Sequence, residues 1–204
     1  MIRYIDSQPE LEAFFSEEYY NSINYTDYAS RIIKYEKTAT ELSKYLEVDV
    51  NDSIFDYGCA IGLLLNGFSK LGFNNLTGFD ISDWAVNNPV NASIKLSTDR
   101  SLIQKRYNVV TALDVFEHMF DEDLNKVLLE LNTEHLVVRI PVKVLNESDF
   151  YLEVSRRDRS HVNCKTKGEW IDYIESYGYQ FKSTLNLESI YDSKGCFSGH
   201  FIKA

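Results

Sequence analysis

A chain of 204 residues is long enough for one domain with a substantial hydrophobic core. Its hydrophobic fraction of 44% and charged fraction of 25% are typical of globular proteins and exclude a disordered chain. The formal net charge of −10 argues against a nucleic-acid backbone as the main partner, because phosphate binding needs clustered lysine and arginine.

Nothing in the sequence predicts a membrane partner or a secreted protein. No stretch of about 18 uncharged apolar residues occurs, and the first residues carry acidic side chains without a long apolar segment. The three cysteines have no metal-ligand spacing and are too few for a disulfide scaffold: Cys59, Cys164 and Cys196. We therefore expect a cytoplasmic protein with free thiols and no metal site.

Two helices are predicted near the start of the chain. The first begins after Ser7 with the pattern of a capping box and is expected to run to about Asn21. Thr26 or Asp27 can cap the second helix, which carries one apolar stripe between residues 28 and 46. Packing of this stripe against a sheet is the simplest explanation for it.

The stretch from Ser53 to Gly62 predicts a buried strand, a tight turn and the start of a helix. A short apolar run ends in Asp56, and Gly58 and Gly62 enclose the small residues of the turn. Glycine adopts positive φ at little cost, and small residues let a ligand approach the backbone. In a parallel sheet such a turn lies at the carboxyl ends of the strands, where ligands bind.

This turn resembles the first motif of class I S-adenosylmethionine-dependent methyltransferases, whose usual form is D-x-G-C-G-x-G. The chain departs from that form at Ala60, which adds one methyl group. The dinucleotide fingerprint G-x-G-x-x-G fits less well, since its third glycine would fall at Leu63. An ordinary glycine-containing turn would give the same pattern. The resemblance implies cofactor contacts from Asp56, Tyr57, Gly58, Cys59, Ala60 and Gly62.

Residues 76–80 predict a second strand, which ends in Asp80. A carboxylate at the end of the neighbouring strand can accept hydrogen bonds from both ribose hydroxyls of an adenosine group. The stretch resembles the second methyltransferase motif, which assigns the ribose to Asp80 and packing on the adenine to Ile81. The alternative is a strand-ending aspartate that caps the helix after Ser82.

A weak third strand at residues 92–97 precedes Asp99 and Arg100. The resemblance implies that this turn supplies adenine contacts, from the Asp99 side chain and from the next backbone N–H, which belongs to Arg100. A solvated turn explains the same residues equally well.

A clear buried strand follows at residues 107–113, where β-branched residues are frequent. The segment after it, Asp114 to His118, resembles the D-V-x-E-H motif of the small-molecule branch of these methyltransferases, which includes ubiquinone-biosynthesis enzymes. The resemblance places Leu113 and Asp114 beside the methionyl half of the cofactor. Glu117 and His118 can instead form a local ion pair in which the carboxylate keeps the imidazole charged.

The irregular segment 142–165 follows the fifth strand, at the edge of the sheet where acceptor-binding loops lie in such folds. His161 in this segment is our first candidate for a general base, because imidazole titrates near neutral pH. A base is needed only if the acceptor must lose a proton. His118 is the second candidate. A hydrogen bond that fixes the loop is an equally good explanation for His161.

Strand and helix patterns alternate along the chain, which predicts an α/β fold with a doubly wound, mostly parallel sheet and helices on both faces. Two final strands at 180–191 and 196–202 flank a turn at 192–195, so we expect an antiparallel hairpin. The resemblance implies the Rossmann-like methyltransferase fold, which has seven strands with the last one reversed.

The resemblance covers residues 51–204 as one S-adenosylmethionine-binding domain. It assigns the helices of residues 1–50 to a lid over the sheet, in which Tyr28, Arg31 or Tyr35 would reach over the cofactor.

The function that the resemblance implies is transfer of a methyl group from S-adenosyl-L-methionine to a small-molecule acceptor by in-line displacement. S-adenosyl-L-homocysteine is the product. The protein would align the acceptor with the methyl group and exclude water. Two alternatives stay open: a catalytically silent module that holds the cofactor, and a nucleotide-cofactor oxidoreductase of Rossmann type.

Overall fold

The computed structural model describes residues 5–21, 28–187, 190 and 195–204. Within this part of the chain, one sheet contains seven strands: β1 (Ile54–Tyr57), β2 (Leu76–Phe79), β3 (Lys95–Ser97), β4 (Arg106–Leu113), β5 (Asn132–Pro141), β6 (Tyr179–Thr184) and β7 (Cys196–Lys203).

Helices connect and cover the strands. The α-helices of the described residues are α1 (Gln8–Phe14), α2 (Glu17–Tyr20), α3 (Ile32–Leu46), α4 (Leu63–Lys70), α5 (Asp83–Asn87), α6 (Asp121–Glu130), α7 (Glu153–Arg157) and α8 (Lys167–Glu175). Short 3₁₀ helices lie at Tyr28–Arg31, Arg100–Gln104 and Phe116–His118. Among these helices, none combines the length and the apolar composition needed to cross a membrane.

The strands lie in the order β3-β2-β1-β4-β5-β7-β6. The first five pair in parallel, whereas β7 runs antiparallel to both of its neighbours, β5 and β6. This topology confirms the predicted α/β fold with a reversed last strand. Because β1, β2 and β4 are adjacent and parallel, their carboxyl ends meet at one edge of the sheet, where open α/β sheets bind ligands.

Alternate residues of the central strands pack on opposite faces of the sheet, as strand geometry requires. Ile54 and Val109 pack with side chains of α3 and α4 on one face. Phe55 and Val110 pack with side chains of α6 and α8 on the other. Because helices cover both faces, consecutive apolar residues are buried in these strands, as at Ile54-Phe55 and Val109-Val110.

The N-terminal region differs from the prediction. Residues 8–20 form two short helices in place of one that continues to about Asn21. Ser7 makes no side-chain capping bond, so the predicted capping box is wrong. The rings of Phe15 and Tyr19 pack edge to face across the break, with centroids 4.9 Å apart.

Smaller differences concern the ends of other elements. The third strand begins at Lys95 and the sixth ends at Thr184, so both are shorter than predicted. The predicted antiparallel pairing of β6 with β7 is confirmed. The predicted caps of the second helix, Thr26 and Asp27, lie outside the described residues, as does most of the predicted turn, residues 192–194. All three cysteines are free thiols, as expected.

Gly78 in β2 has no room for a side chain. A Cβ atom built there would lie 2.6 Å from the sulfur of Cys59 and 2.7 Å from Cδ2 of Leu96. We expect Gly78→Ala to lower the free energy of unfolding by about 1 to 3 kcal/mol through overpacking. Urea denaturation followed by circular dichroism measures this change.

Gly168 in the first turn of α8 provides the matched control. A Cβ atom there meets no heavy atom of the described residues within 4 Å. Gly168→Ala should therefore raise the free energy of unfolding by up to about 1 kcal/mol, because it restricts the unfolded chain. Equal stabilities of the two variants would show that the packing around Gly78 is not tight.

Candidate active site

A cavity of about 480 Å³ opens at the carboxyl edge of the parallel strands. The ends of β1, β2 and β4 form its floor, and side chains from the N-terminal helices and from residues 154–161 form its walls. Several predicted cofactor residues line it: Tyr57, Gly58, Ala60, Asp80, Ile81, Arg100, Leu113 and Asp114. The cavity thus joins residues of all four segments that were predicted to contact the cofactor.

The turn after β1 follows an unusual backbone path. Gly58 has φ +79°, Ala60 has φ +47° and Gly62 has φ +80°. The backbone N–H groups of Gly58 and Cys59 both donate to the carbonyl oxygen of Phe79, at 2.8 and 3.0 Å. A Cβ atom at Gly58 would lie 2.4 Å from Val115 Cγ2. Both the backbone path and the close approach to Val115 therefore require glycine at this position.

Asp80 joins this turn to the end of β2. Its carboxylate accepts hydrogen bonds from the backbone N–H of Ala60 at 2.7 Å and from that of Ser82 at 2.9 Å. Burial raises the pKa of Asp80 to about 6, although these hydrogen bonds oppose the increase. Each carboxylate oxygen has two lone pairs, so Asp80 keeps acceptor capacity for a ligand in the cavity. Ser82 itself caps α5, by accepting from Ala85 N.

Three residues of the first predicted motif lie away from this cavity. Asp56 and Cys59 line a separate small space beneath the turn, together with Tyr35, and Gly62 lines neither cavity. Asp56 accepts a hydrogen bond from the hydroxyl of Thr111 at 2.6 Å. Burial raises the pKa of Asp56 to about 7. These three residues therefore support the turn from outside the main cavity. Their predicted contacts with a cofactor stay predictions.

The turn predicted to contact adenine, Asp99 and Arg100, is divided in the same way. Arg100 lines the cavity. Asp99 is exposed, and its side chain accepts from Ser101 N at 2.9 Å to cap the following 3₁₀ helix. The predicted contact between Asp99 and adenine stays a prediction.

Asp114 ends β4 in a left-handed conformation, with φ +58°. Its backbone N–H donates to the carbonyl oxygen of Arg139 at 2.7 Å, and its carboxylate forms an ion pair with the Arg139 guanidinium. Arg139 is completely buried within β5. Arg139 was not among the predicted site residues. A single charge inside the apolar run of β5 was a visible signal for it, because a buried charge needs a partner.

Glu117, His118 and His161 come together on one wall of the cavity. Backbone hydrogen bonds bring the two segments into contact: Val162 N and Asn163 N donate to the carbonyl oxygen of Glu117 at 2.9 and 3.0 Å. The rings of His118 and His161 have centroids 4.6 Å apart. Both predicted catalytic histidines therefore lie in one cluster, 43 positions apart in sequence.

The electrostatics of this cluster differ from the prediction. Burial raises the pKa of Glu117 well above its usual range and lowers the pKa of His118, so burial favours two neutral groups over the predicted ion pair. Burial also lowers the pKa of His161, to about 3. An imidazole with that pKa is a weak base at pH 7, which counts against His161 as the general base.

Aromatic side chains of the N-terminal region form an adjoining wall, in which the Phe15 ring packs edge to face on His118 with centroids 5.3 Å apart. Phe15, Tyr19 and Tyr20 line the cavity, and Tyr20 stacks on Trp84 with centroids 5.2 Å apart. Of the residues predicted to reach over a cofactor, Arg31 and Tyr35 line the cavity, and the side chain of Tyr28 is outside the described part. The aromatic wall was not predicted, although the clustering of Phe14, Phe15, Tyr19 and Tyr20 in the sequence signalled it.

The sequence pattern of a protein family described as "Methyltransferase domain" matches residues 25–182, well over half of the chain. The chain belongs to this methyltransferase family. No curated protein matches the chain at a significant level.

Solved structures share the fold of this methyltransferase at low sequence identity. Magnesium protoporphyrin IX methyltransferase (ChlM) from Synechocystis PCC 6803, solved with bound SAM, gives a TM-score of 0.67 at 13% identity over 100% of both chains. The methyltransferase domain of bacterial CtHen1-C gives 0.61 at 22% identity over 84% of this chain and 99% of that one. The [4+2]-cyclase SpnF gives a TM-score of 0.63 at 10% identity over 82% of this chain and 81% of that one.

The predicted class I methyltransferase fold and family are therefore confirmed for this methyltransferase. Its place in the ubiquinone-biosynthesis branch stays a prediction.

The raised pKa of Asp56 predicts that the free energy of unfolding depends on pH. The folded-state pKa of about 7 exceeds the usual 3.8, so the folded methyltransferase holds a proton that the unfolded chain releases. The contribution of Asp56 to stability is therefore lost as pH rises from about 4 to 7. Asp56→Asn, which keeps an acceptor for Thr111, should gain stability over the native protein by more than roughly 1 kcal/mol between pH 5 and 8.

Urea denaturation at pH 5 and pH 8 measures this difference. Asp172→Asn, at an exposed position on α8, is the matched control and should change stability equally at both pH values. A difference between Asp56→Asn and the native protein that does not vary with pH would contradict the raised pKa.

Proposed function

We propose that the chain binds S-adenosyl-L-methionine at the carboxyl edge of the sheet and transfers its methyl group to a small-molecule acceptor. S-adenosyl-L-homocysteine is then the second product. The observation that carries this proposal is the position of Asp80, whose buried carboxylate lies beside the glycine turn of β1 and lines a cavity of about 480 Å³. One carboxylate is thereby available to a sugar, next to a backbone that a ligand can approach closely.

The adenosine half of the cofactor fits the β2 side of the cavity in this proposal. Asp80 accepts hydrogen bonds from the ribose hydroxyls, and Ile81 packs on the adenine. Arg100 lies at the same end. The methionyl half then extends along Gly58 and Leu113 toward the end of β4. Two structures of ChlM, one with bound SAM and one with bound SAH, support this choice of cofactor through their shared fold.

The acceptor occupies the remaining part of the cavity, beside the aromatic wall and the histidine cluster. Phe15, Tyr19 and Met119 give this part an apolar lining, whereas His118 and His161 give it polar groups. A small organic acceptor with one polar reacting atom suits such a lining. Residues 1–50 act as the lid of the site, since α1 and α2 contribute to its wall.

Methyl transfer makes limited demands on the protein. The sulfonium already activates the methyl group, so the site mainly aligns the acceptor atom, the methyl carbon and the sulfur. Enclosure by α1 and α2 excludes water from the reacting atoms. A proton must be removed only when the acceptor atom carries one, as a hydroxyl does.

SpnF supports a second candidate function, because a [4+2]-cyclase shares this fold with a TM-score of 0.63. The chain would then hold the cofactor without transferring its methyl group. The oxidoreductase alternative is weaker, because Leu63 stands where the dinucleotide fingerprint needs its third glycine.

Asp80→Asn tests the assignment of the ribose site. Loss of a charged acceptor for the ribose hydroxyls should lower the affinity for S-adenosylmethionine at least ~10-fold, since such hydrogen bonds contribute about 1.5 to 3 kcal/mol. Isothermal titration calorimetry measures the affinity. Asp83→Asn, which changes an exposed acid three positions away, should bind as the native protein does. Equal affinities of the two variants would refute the role of Asp80, provided that thermal unfolding shows both to be folded.

Methyl transfer itself is tested by release of S-adenosylhomocysteine, measured by mass spectrometry. The native protein is incubated with S-adenosylmethionine and a panel of small molecules with hydroxyl, amine or activated carbon groups. Release that depends on one class of acceptor supports the proposal, and Asp80→Asn should reduce it at limiting cofactor. Tight cofactor binding without release for any acceptor would favour the silent module, and saturable binding of NAD would favour the oxidoreductase.

A further inference from the structure

The Glu117 side chain is buried in surroundings that are unusual for a carboxyl group. It is completely inaccessible to solvent, and neither carboxyl oxygen has a hydrogen-bond partner among the described residues. Burying a carboxyl group without a partner costs several kcal/mol, and buried polar groups in folded proteins nearly always have one. Because Glu117 also lines the cavity, the missing partner can be a bound species.

Two imidazoles supply further ligand atoms beside this carboxyl group. Ligand atoms of Glu117, His118 and His161 all lie within 4.8 Å of one another. The Nε2 atom of His118 is 3.8 Å from Oε1 of Glu117. Nδ1 of His161 is buried and, like the Glu117 oxygens, has no hydrogen-bond partner among the described residues.

The surroundings of His118 fix which of its nitrogens is available. Nδ1 lies 3.2 Å from the carbonyl oxygen of Ser160, which can only accept a hydrogen bond. The hydroxyl of Ser160 donates to Asp158 at 2.6 Å, so it also accepts from Nδ1, at 2.9 Å. Nδ1 therefore carries the proton, and the lone pair of Nε2 faces Glu117. Metal-binding histidines are oriented in this way by a second hydrogen-bonded group.

We propose that Glu117, His118 and His161 bind a divalent transition-metal ion inside the cavity. Two imidazoles and one carboxylate suit Mn²⁺, Fe²⁺, Co²⁺ or Zn²⁺ better than Mg²⁺, which prefers oxygen ligands. Bound ligand atoms lie about 2.1 Å from such an ion and roughly 3 to 4 Å from one another. The separation of 3.8 Å between Nε2 of His118 and Oε1 of Glu117 already falls in this range. No metal site was expected from the sequence, because the cysteine spacing alone does not signal these three ligands.

Three protein ligands leave coordination positions of the ion unfilled. On the basis of the proposed function, the metal defines the acceptor class as a small molecule that presents a hydroxyl. Coordination to a divalent ion lowers the pKa of an oxygen ligand, as it does for bound water. The hydroxyl proton is released to bulk solvent when the acceptor coordinates the ion, and an oxygen–methyl bond then forms. The sulfur–methyl bond breaks with its electron pair left on sulfur, which gives a methyl ether and S-adenosylhomocysteine.

Neutral imidazoles are good metal ligands. His118 and His161 thus keep a place in the reaction, as ligands and not as bases.

Metal binding by the full chain tests the inference without any enzymatic reaction. Protein freed of metal by a chelator is titrated with Co²⁺, whose visible absorption reports coordination, and then with Zn²⁺ in competition. We expect one bound Co²⁺ per chain. Glu117→Gln and His161→Gln should each weaken Co²⁺ binding at least ~10-fold. His200→Gln removes an imidazole from the other histidine pair, in which His135 Nδ1 lies 3.0 Å from His200 Nε2, and should not weaken it.

Absence of Co²⁺ binding by the native protein at millimolar metal would overturn the inference. Equal Co²⁺ affinities of the native protein and a folded Glu117→Gln variant would also overturn it. Thermal unfolding establishes that each variant is folded, and His161→Gln gives a second test if Glu117→Gln is not. Calorimetry with S-adenosylmethionine separates this result from the proposed function: cofactor binding without metal binding refutes the metal site alone, and metal binding without cofactor binding refutes the proposed function alone.

Discussion

The hydrogen bonds between the Gly58–Gly62 turn and the end of β2 determine where the cavity lies. Phe79 contributes its carbonyl oxygen and Asp80 its carboxylate, and together they bind three successive N–H groups of the turn, those of Gly58, Cys59 and Ala60. Left-handed conformations in the turn aim these donors at β2. The Asp80 carboxyl group at the centre of this arrangement is buried, which raises its pKa. Its burial costs free energy at the point where a ligand is expected to bind.

A second set of backbone hydrogen bonds positions the cavity wall that contains Glu117, His118 and His161. The carbonyl oxygen of Glu117 accepts from Val162 N and Asn163 N, which holds the loop after β5 against the end of β4. The side chain of Asn163 adds a hydrogen bond to the carbonyl oxygen of Met119 at 3.0 Å. These bonds bring His161 to His118. The histidine cluster is therefore a property of the fold, fixed by main-chain contacts before any ligand binds.

The sequence predicted features that depend on short-range patterns. The glycine turn, the strand-ending Asp80 and the order of strands and helices are encoded locally, and each was found. Features that depend on tertiary contacts were missed. The cluster of Glu117 with His161 needs segments 44 positions apart to meet, and the pKa of His161 depends on burial that no local pattern reveals. The pairing of Arg139 with Asp114 also depends on a tertiary contact, since Asp114 directly follows the neighbouring strand β4.

The stacking of Tyr20 on Trp84 has an optical consequence. The chain contains two tryptophans, and the other, Trp170, is completely buried on α8 on a face of the sheet, away from the cavity lining. Trp84 is partly exposed and rests against a ring that lines the cavity. Its fluorescence is therefore sensitive to displacement of α2, while Trp170 contributes a steady background. The protein thus carries an intrinsic reporter at the rim of its own site.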